Sequence, residues 1–305
     1  RAPEAMYKLG TMLVERGARA EASDLLRAMV ARHPNHPMAP AALLTSGFAH
    51  AADERWEEAI ADWGRLERTW TNSPHAEEAL FQKGLAEMRL QRAPAATASL
   101  QALLRRFPAT ERAAETHYWL AVLADRTNEN VEAETHLRLA LQLDPPPDLR
   151  RRARFLLARV LQKLGRESEA ADLWQELLST PSRADMPPEL IEWLAQHRLE
   201  QRSFSNALAA AESLLAGAPD EAWRQIGSYL VGRAREGLGD RAGALTAFEQ
   251  ADRGSPVTRA RVQALLALSR LRMSEGALDG AEEAARRAAE FASDDRLAEI
   301  KAVAL

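Results

Sequence analysis

Three sets of residues recur along this chain at one fixed interval. Gly10, Gly47, Gly84, Ala121, Ala158, Ala195, Gly232 and Ser269 stand 37 positions apart. So do Ala22, Ala59, Ala96, Ala133, Ala170, Ala207, Ala244 and Ala281. A third set, Pro34, Thr71, Pro108, Pro145, Ser182, Pro219, Pro256 and Ser293, keeps the same step without insertion or deletion. Ordinary helical patterning repeats every three or four residues and does not lock small, alanine and proline positions to a common longer period. A period of this length implies stacked units, each burying its apolar face against neighbours, and hence a solenoid. Growth in one dimension also frees 305 residues from the two compact domains that such a length would otherwise suggest.

The stretch from Glu111 to Pro147 shows the content of one unit. Ala113, Ala114, His117, Tyr118, Leu120, Ala121 and Leu123 lie at three- and four-residue steps, which predicts the apolar side of a helix. The pattern stops at Thr127, Asn128, Glu129 and Asn130, which are turn formers. A second helix is predicted with Ala133, Leu137, Ala140 and Leu141 on one face, and Asp144-Pro145-Pro146-Pro147 ends it, because proline lacks the backbone donor. Asp148 is placed to cap the next helix. Gly17, Gly165, Gly239 and Gly276 occupy the turn between the two helices of their units, where glycine takes the left-handed conformation without strain. The small residue at Gly10 and its equivalents lets the two helices approach closely. Leu26, Trp63, Leu100, Leu137, Trp174 and Phe248 are placed to fill the space this leaves. Eight such helix pairs make an all-α solenoid over residues 1–295, and residues 296–305 read as a capping helix or the start of a ninth unit.

Composition agrees. Apolar residues make up 46% of the chain but aromatic ones only 6%, as suits small, alanine-rich helix faces. Forty basic and 44 acidic residues give a formal charge of −4, whereas a protein that mainly binds nucleic acid is strongly basic. The run Arg150-Arg151-Arg152 with Arg154 is one helical turn facing several directions behind Asp144 and Asp148, so it reads as a solvated helix start. The chain has no cysteine, which excludes disulfides, thiolate metal sites and cysteine nucleophiles and fits an oxidising compartment. No apolar run approaches the roughly 20 residues that span a bilayer. The chain opens at Arg1 within a predicted helix and without a leader pattern, compatible with a removed signal or a longer parent chain.

With the small residue set as position 8 of a unit, leucine falls at 7 (Leu9, Leu120, Leu157, Leu194), alanine at 20, a large apolar residue at 24 and proline at 32. This set of positions resembles the tetratricopeptide repeat (TPR). Arg106-Phe107-Pro108-Ala109-Thr110-Glu111 running into Thr116-His117-Tyr118-Trp119-Leu120-Ala121 is similar to the longer repeats of bacterial cell-envelope members. Those of the TolA-binding periplasmic protein and of the lipoprotein subunit of the outer-membrane β-barrel assembly machine are examples. His33-Pro34-Asn35-His36-Pro37 and Trp70-Thr71-Asn72-Ser73-Pro74 keep the same cadence. The later units depart from it: Ser182 and Ser293 replace proline, Ala211 and Ala285 replace the large residue, and Arg202 replaces the turn glycine. The resemblance implies a right-handed superhelix that binds proteins, with no catalytic residues and no cofactor. It implies a periplasmic or envelope location, with the cytoplasm as the alternative.

The resemblance also implies where a partner lies. In this family the first helix of each pair lines the concave groove through positions 2, 5, 6, 9, 12 and 13. Positions 5 and 6 carry Tyr118, Trp119, Phe155, Trp193 and Tyr229; position 9 carries Arg159, Gln196, Arg233 and Arg270; position 13 carries Arg89, Arg126 and Lys163. Cations beside rings would suit a protein or peptide partner of acidic character, or a free carboxyl terminus. The other reading of the same residues is packing between units for the rings and a solvated face for the cations. No phosphate loop, nucleophile elbow or paired metalloprotease histidines occur in the sequence. His33 and His36 share a turn but have no third ligand nearby in sequence, so no metal is expected. Glu57-Glu58, Glu77-Glu78 and Glu282-Glu283 sit near predicted helix starts, where the helix dipole favours them. Trp56 and Trp70 flank the packing residue Trp63 as candidates for an exposed edge, and Pro181, Pro187 and Pro188 stiffen the link between the fifth and sixth units. The function expected is a non-enzymatic scaffold of unknown oligomeric state. A self-assembling module, or the regulatory region of a larger enzyme, are its rivals.

Overall fold

A computed structural model describes residues 2–180 and 186–292, and every described element is an α-helix. Pro181, Ser182, Ser293 and the proposed terminal helix of residues 296–305 lie outside the described residues. The chain forms two compact units, residues 1–164 and 165–305. The boundary falls at the Leu164–Gly165 turn rather than in the proline-rich link. The first unit holds α1 (Ala2–Glu15), α2 (Arg19–Arg32), α3 (Ala39–Ala52), α4 (Trp56–Thr69), α5 (Pro74–Arg89), α6 (Ala93–Arg106), α7 (Ala113–Arg126), α8 (Asn130–Gln142) and α9 (Pro147–Lys163). The second holds α10 (Glu167–Leu178), α11 (Pro188–Glu200), α12 (Phe204–Ala216), α13 (Glu221–Gly237), α14 (Arg241–Ala251), α15 (Arg259–Ser274) and α16 (Leu278–Ala292). Within each unit consecutive helices pack on one another, and first helices of successive repeats also touch, as α3 does α5 and α13 does α15.

The repeat period appears in the backbone itself. Gly17, Glu54, Gln91, Asn128, Gly165, Arg202, Gly239 and Gly276 are spaced 37 apart and all have positive φ, between 57° and 81°. The turn between paired helices therefore has one geometry in every repeat, and four of them impose it on a residue with a side chain. That conformation is disfavoured for such residues by about 1–2 kcal/mol, so the surrounding helix packing holds it in place.

The small residue at position 8 sits against the large one at position 24 of the same repeat. A methyl group added to Gly10 would lie 2.6 Å from Leu26, to Gly47 2.2 Å from Trp63, to Gly84 2.8 Å from Leu100, and to Gly232 2.4 Å from Phe248. Trp63, Trp174, Phe248, Leu26, Leu100 and Leu137 are all fully buried. These residues anchor continuous apolar layers: Leu26, Leu43, Trp63 and Leu66 in one cluster, Leu80, Leu100, Leu103 and Leu123 in the next, and Phe248, Leu265, Leu268 and Ala288 in the second unit.

A threonine four residues before the next repeat begins ties the start of one repeat to the first helix of the next. Thr258 caps α15 by accepting from the Arg261 N–H at 3.1 Å, and donates at 2.6 Å to Oε1 of Gln225, the first position of the repeat that Thr258 closes. Thr110, at the equivalent position, likewise donates to Glu77 Oε1 at 2.5 Å, but it accepts from the N–H of Arg112, two residues on, at 3.1 Å and does not cap α7, whose N-cap is Arg112. The cap expected at Asp148 is not formed. Pro146 is the N-cap of α9 and Pro147 its first residue, because proline is already set at the φ a first turn needs, and Asp148 projects from that turn. Glu57, Glu58 and Glu77 do lie in first helical turns, whereas α16 begins at Leu278 and puts Asp279 there instead of Glu282 and Glu283.

Candidate partner-binding site

In the first unit the expected groove residues divide into two groups. Tyr118 and Trp119 on α7 form an edge-to-face pair, ring centroids 5.2 Å apart at 67°. The Arg152 guanidinium lies 5.4 Å over the Tyr118 ring, and Trp119 packs on the Leu100–Leu123 layer. Phe155 on α9 is half-buried. The cations Arg159 and Lys163, also on α9, both reach Asp125 of α7, each at 2.6 Å. Burial alone would push the Asp125 carboxyl up, but hydrogen bonding from Lys163 and the charge of Arg159 outweigh it and hold the pKa below its ordinary 3.8. Two of the predicted cations thus join repeats together. Arg89 covers the Trp56 ring at 5.5 Å, and Arg126 is exposed with no ion pair among the described residues. Trp56 and Trp70 are both half-buried against the layer of Trp63 and Leu66.

The basic run is also paired. Arg150 reaches Asp144 at 2.5 Å and Arg151 lies 3.7 Å from Asp148. His36 accepts from the Met38 N–H through Nδ1 at 3.2 Å, which closes the turn after α2.

In the second unit Arg270 is paired with Glu236 at 2.6 Å, repeating the position-9 to position-12 contact of Arg159 and Asp125. Trp193 stacks on His197, rings 5.1 Å apart and 11° from parallel. Tyr229 and Arg233 share a different setting. Together with Gln196, Leu199 and Glu200 of α11, Leu230 of α13, and Arg259 and Gln263 of α15, they line a cleft of about 340 Å³ across three successive first helices. Arg233 donates to the Tyr229 hydroxyl at 2.9 Å, and its guanidinium stands 5.9 Å over the same ring. Neither Arg233 nor Arg259 forms an ion pair among the described residues, so two cations and an aromatic ring converge in a cleft whose one lining carboxylate, Glu200, is not bonded to either.

Of the twelve groove residues read from positions 5, 6, 9 and 13, only Gln196, Tyr229 and Arg233 meet in this cleft. Glu200 and Gln263 were missed although they occupy positions 13 and 2 of their repeats, so carrying those positions through every unit would have found them. Arg259 stands three residues before its repeat begins, at the first residue of α15, and no groove position predicts it. The rings at positions 5 and 6 elsewhere are largely engaged in packing.

Residues 7–77 and 81–146 match the family model of the tetratricopeptide repeat. The outer membrane protein assembly factor BamD of Caulobacter vibrioides is 28% identical over 131 residues, covering 40% of this chain and 43% of that protein. The chain thus matches less than half the length of this curated relative. A tetratricopeptide repeat protein from Parabacteroides merdae is similar in structure, with a TM-score of 0.51 and 18% identity over 89% of this chain and 98% of the other. The C-terminal part of a TPR repeat-containing protein from Cytophaga hutchinsonii aligns with a TM-score of 0.56 and 13% identity over 85% and 99%. At these identities the structural likeness is one of fold.

Proposed function

We propose, from the match of residues 7–77 and 81–146 to the tetratricopeptide-repeat model and the likeness in fold to solved repeat proteins, that this chain is a tetratricopeptide-repeat scaffold, non-enzymatic, holding an acidic protein or peptide segment on its first helices. The cleft of α11, α13 and α15 carries the reading. Arg233 and Arg259 supply charge-assisted donors, Tyr229 offers a ring face and a hydroxyl, and Gln196 and Gln263 add neutral donors and acceptors. An aspartate or glutamate side chain, or a free carboxyl terminus, is the group such a cleft would hold. The bacterial cell envelope is the proposed setting, supported by the likeness to an outer membrane assembly factor and compatible with the absence of cysteine.

The test is capture of partners from a bacterial envelope extract by the full chain, compared with Arg233→Glu/Arg259→Glu. Loss of a partner that Arg126→Glu retains is expected. Equal recovery by both variants and the wild type, or capture of nothing, would overturn the assignment of this cleft.

A further inference from the structure

Away from the cleft, a pair of side chains on α7 and α8 has chemistry that repeat packing does not require. His117 on α7 and His136 on α8 belong to the fourth repeat, and their Nδ1 atoms are 3.0 Å apart. The rings are tilted by 32° with centroids 5.1 Å apart, and both are half-buried. In most other repeats the position of His117 is apolar (Met6, Leu43, Leu80, Ile191, Leu265), and so is that of His136 (Leu25, Leu173, Ala210, Ala247, Ala284). The fold is therefore built without an imidazole at either place. Two neutral imidazoles meeting through the same ring nitrogen make only one hydrogen bond, since one Nδ1 must give up its lone pair to carry the proton.

We propose that His117 and His136 form a two-histidine site for a late first-row divalent metal ion, with Cu2+ as the best fit. Metal–imidazole bonds of about 2.0–2.1 Å spanning 3.0 Å between the nitrogens subtend an angle slightly over 90°. That is the angle between adjacent ligands of a tetragonal site, the geometry copper(II) prefers. Zinc would need the rings to separate by a few tenths of an ångström to reach a tetrahedral angle. Glu132 supplies an outer partner: its carboxylate lies 3.7 Å from His136 Nε2, where it favours the proton on that nitrogen and leaves Nδ1 free as a ligand. His136 keeps 16% of its side chain exposed, so an ion and its remaining water ligands can enter from solvent. His33 and His36, the other closely spaced histidines, lie in the turn after α2, and His36 Nδ1 is already an acceptor there.

The experiment is titration of the tag-free full chain with Cu2+ by calorimetry, followed by electron paramagnetic resonance and histidine-selective NMR. Expected is one ion per chain, nitrogen hyperfine structure from two imidazoles, and broadening confined to the His117 and His136 ring signals. His117→Gln and His136→Gln should each weaken binding more than tenfold, Glu132→Gln about tenfold, and His33→Ala/His36→Ala not at all. Because the glutamine variants could unfold, the broadening pattern on the wild-type chain stands as an independent readout. Broadening centred on His33, His36 or another histidine would overturn the proposal. So would stoichiometric binding that survives both glutamine variants, or no saturable binding.

Discussion

A methyl group placed on Gly47 would lie 2.2 Å from the Trp63 indole nitrogen, and Trp63 is only 1% exposed. The indole has no room to retreat. It meets Phe48 edge-on at 5.6 Å, and its N–H donates to the Leu44 carbonyl at 3.3 Å. Overpacking of an enclosed core side chain costs up to about 3 kcal/mol, and losing the indole hydrogen bond adds about 1 kcal/mol. Alanine is the better helix former by about 1 kcal/mol, so Gly47→Ala is expected to destabilise the first unit by about 3 kcal/mol. Followed by far-UV circular dichroism in urea, with a slope of about 3 kcal/mol per molar, the midpoint should fall by roughly 1 M. Trp63→Leu should rescue part of the loss, because the fourth repeat already pairs Ala121 with Leu137, both fully buried. The double variant should therefore lie at least about 1.5 kcal/mol above the sum of the singles, a coupling expected only of residues in contact. Additive effects, or a Gly47→Ala midpoint at or above wild type, would refute the close approach inferred for position 8.

Other perturbations probe different parts of the repeat. Arg202→Gly, at φ 57°, should stabilise the second unit by about 1 kcal/mol by relieving the left-handed turn, measured as a raised urea midpoint. Thr258→Ala should cost about 2 kcal/mol in the same assay, since it removes the α15 cap and leaves the buried Gln225 Oε1 unpaired. Asp125 has a pKa below 3.8, so it releases its proton more readily in the folded chain than in the unfolded one. Its stabilisation is complete above pH 3.8 and lost as pH falls through the folded pKa. Asp125→Asn should lower stability at neutral pH and flatten the decline below pH 3.8 in melts of the first unit.

The amount of structure legible in the sequence differs from residue to residue. The helix pairs and the glycine–tryptophan and glycine–phenylalanine contacts at Gly47 and Gly232 could be read because both partners lie in one repeat, sixteen positions apart. Local periodicity then fixes which face each residue occupies. The turns at Glu54, Gln91 and Arg202 have the same backbone as the glycine turns without glycine to signal it. Only the common period identifies them. The start of α9 was misplaced at Asp148 because a run of three prolines offers several equivalent stopping points, and the choice depends on how Leu149 and Ala153 bury themselves.

The period by itself determined that the chain is an all-α solenoid, which residues pack within each repeat and which residues remain to be explained. It did so because the steric demand between paired helices is the same in every unit and writes itself into the same positions. The tertiary structure decided what the remaining residues do. Arg159, Lys163 and Arg270 look like Arg233 in a sequence, yet the first three meet carboxylates on the preceding repeat, whereas Arg233 faces Tyr229 and an open cleft. His117 and His136 are 19 positions apart and unremarked in any motif until two helices bring their nitrogens to 3.0 Å. Whether a charge is neutralised or left available depends on distances between separate helices, and no single helix encodes those.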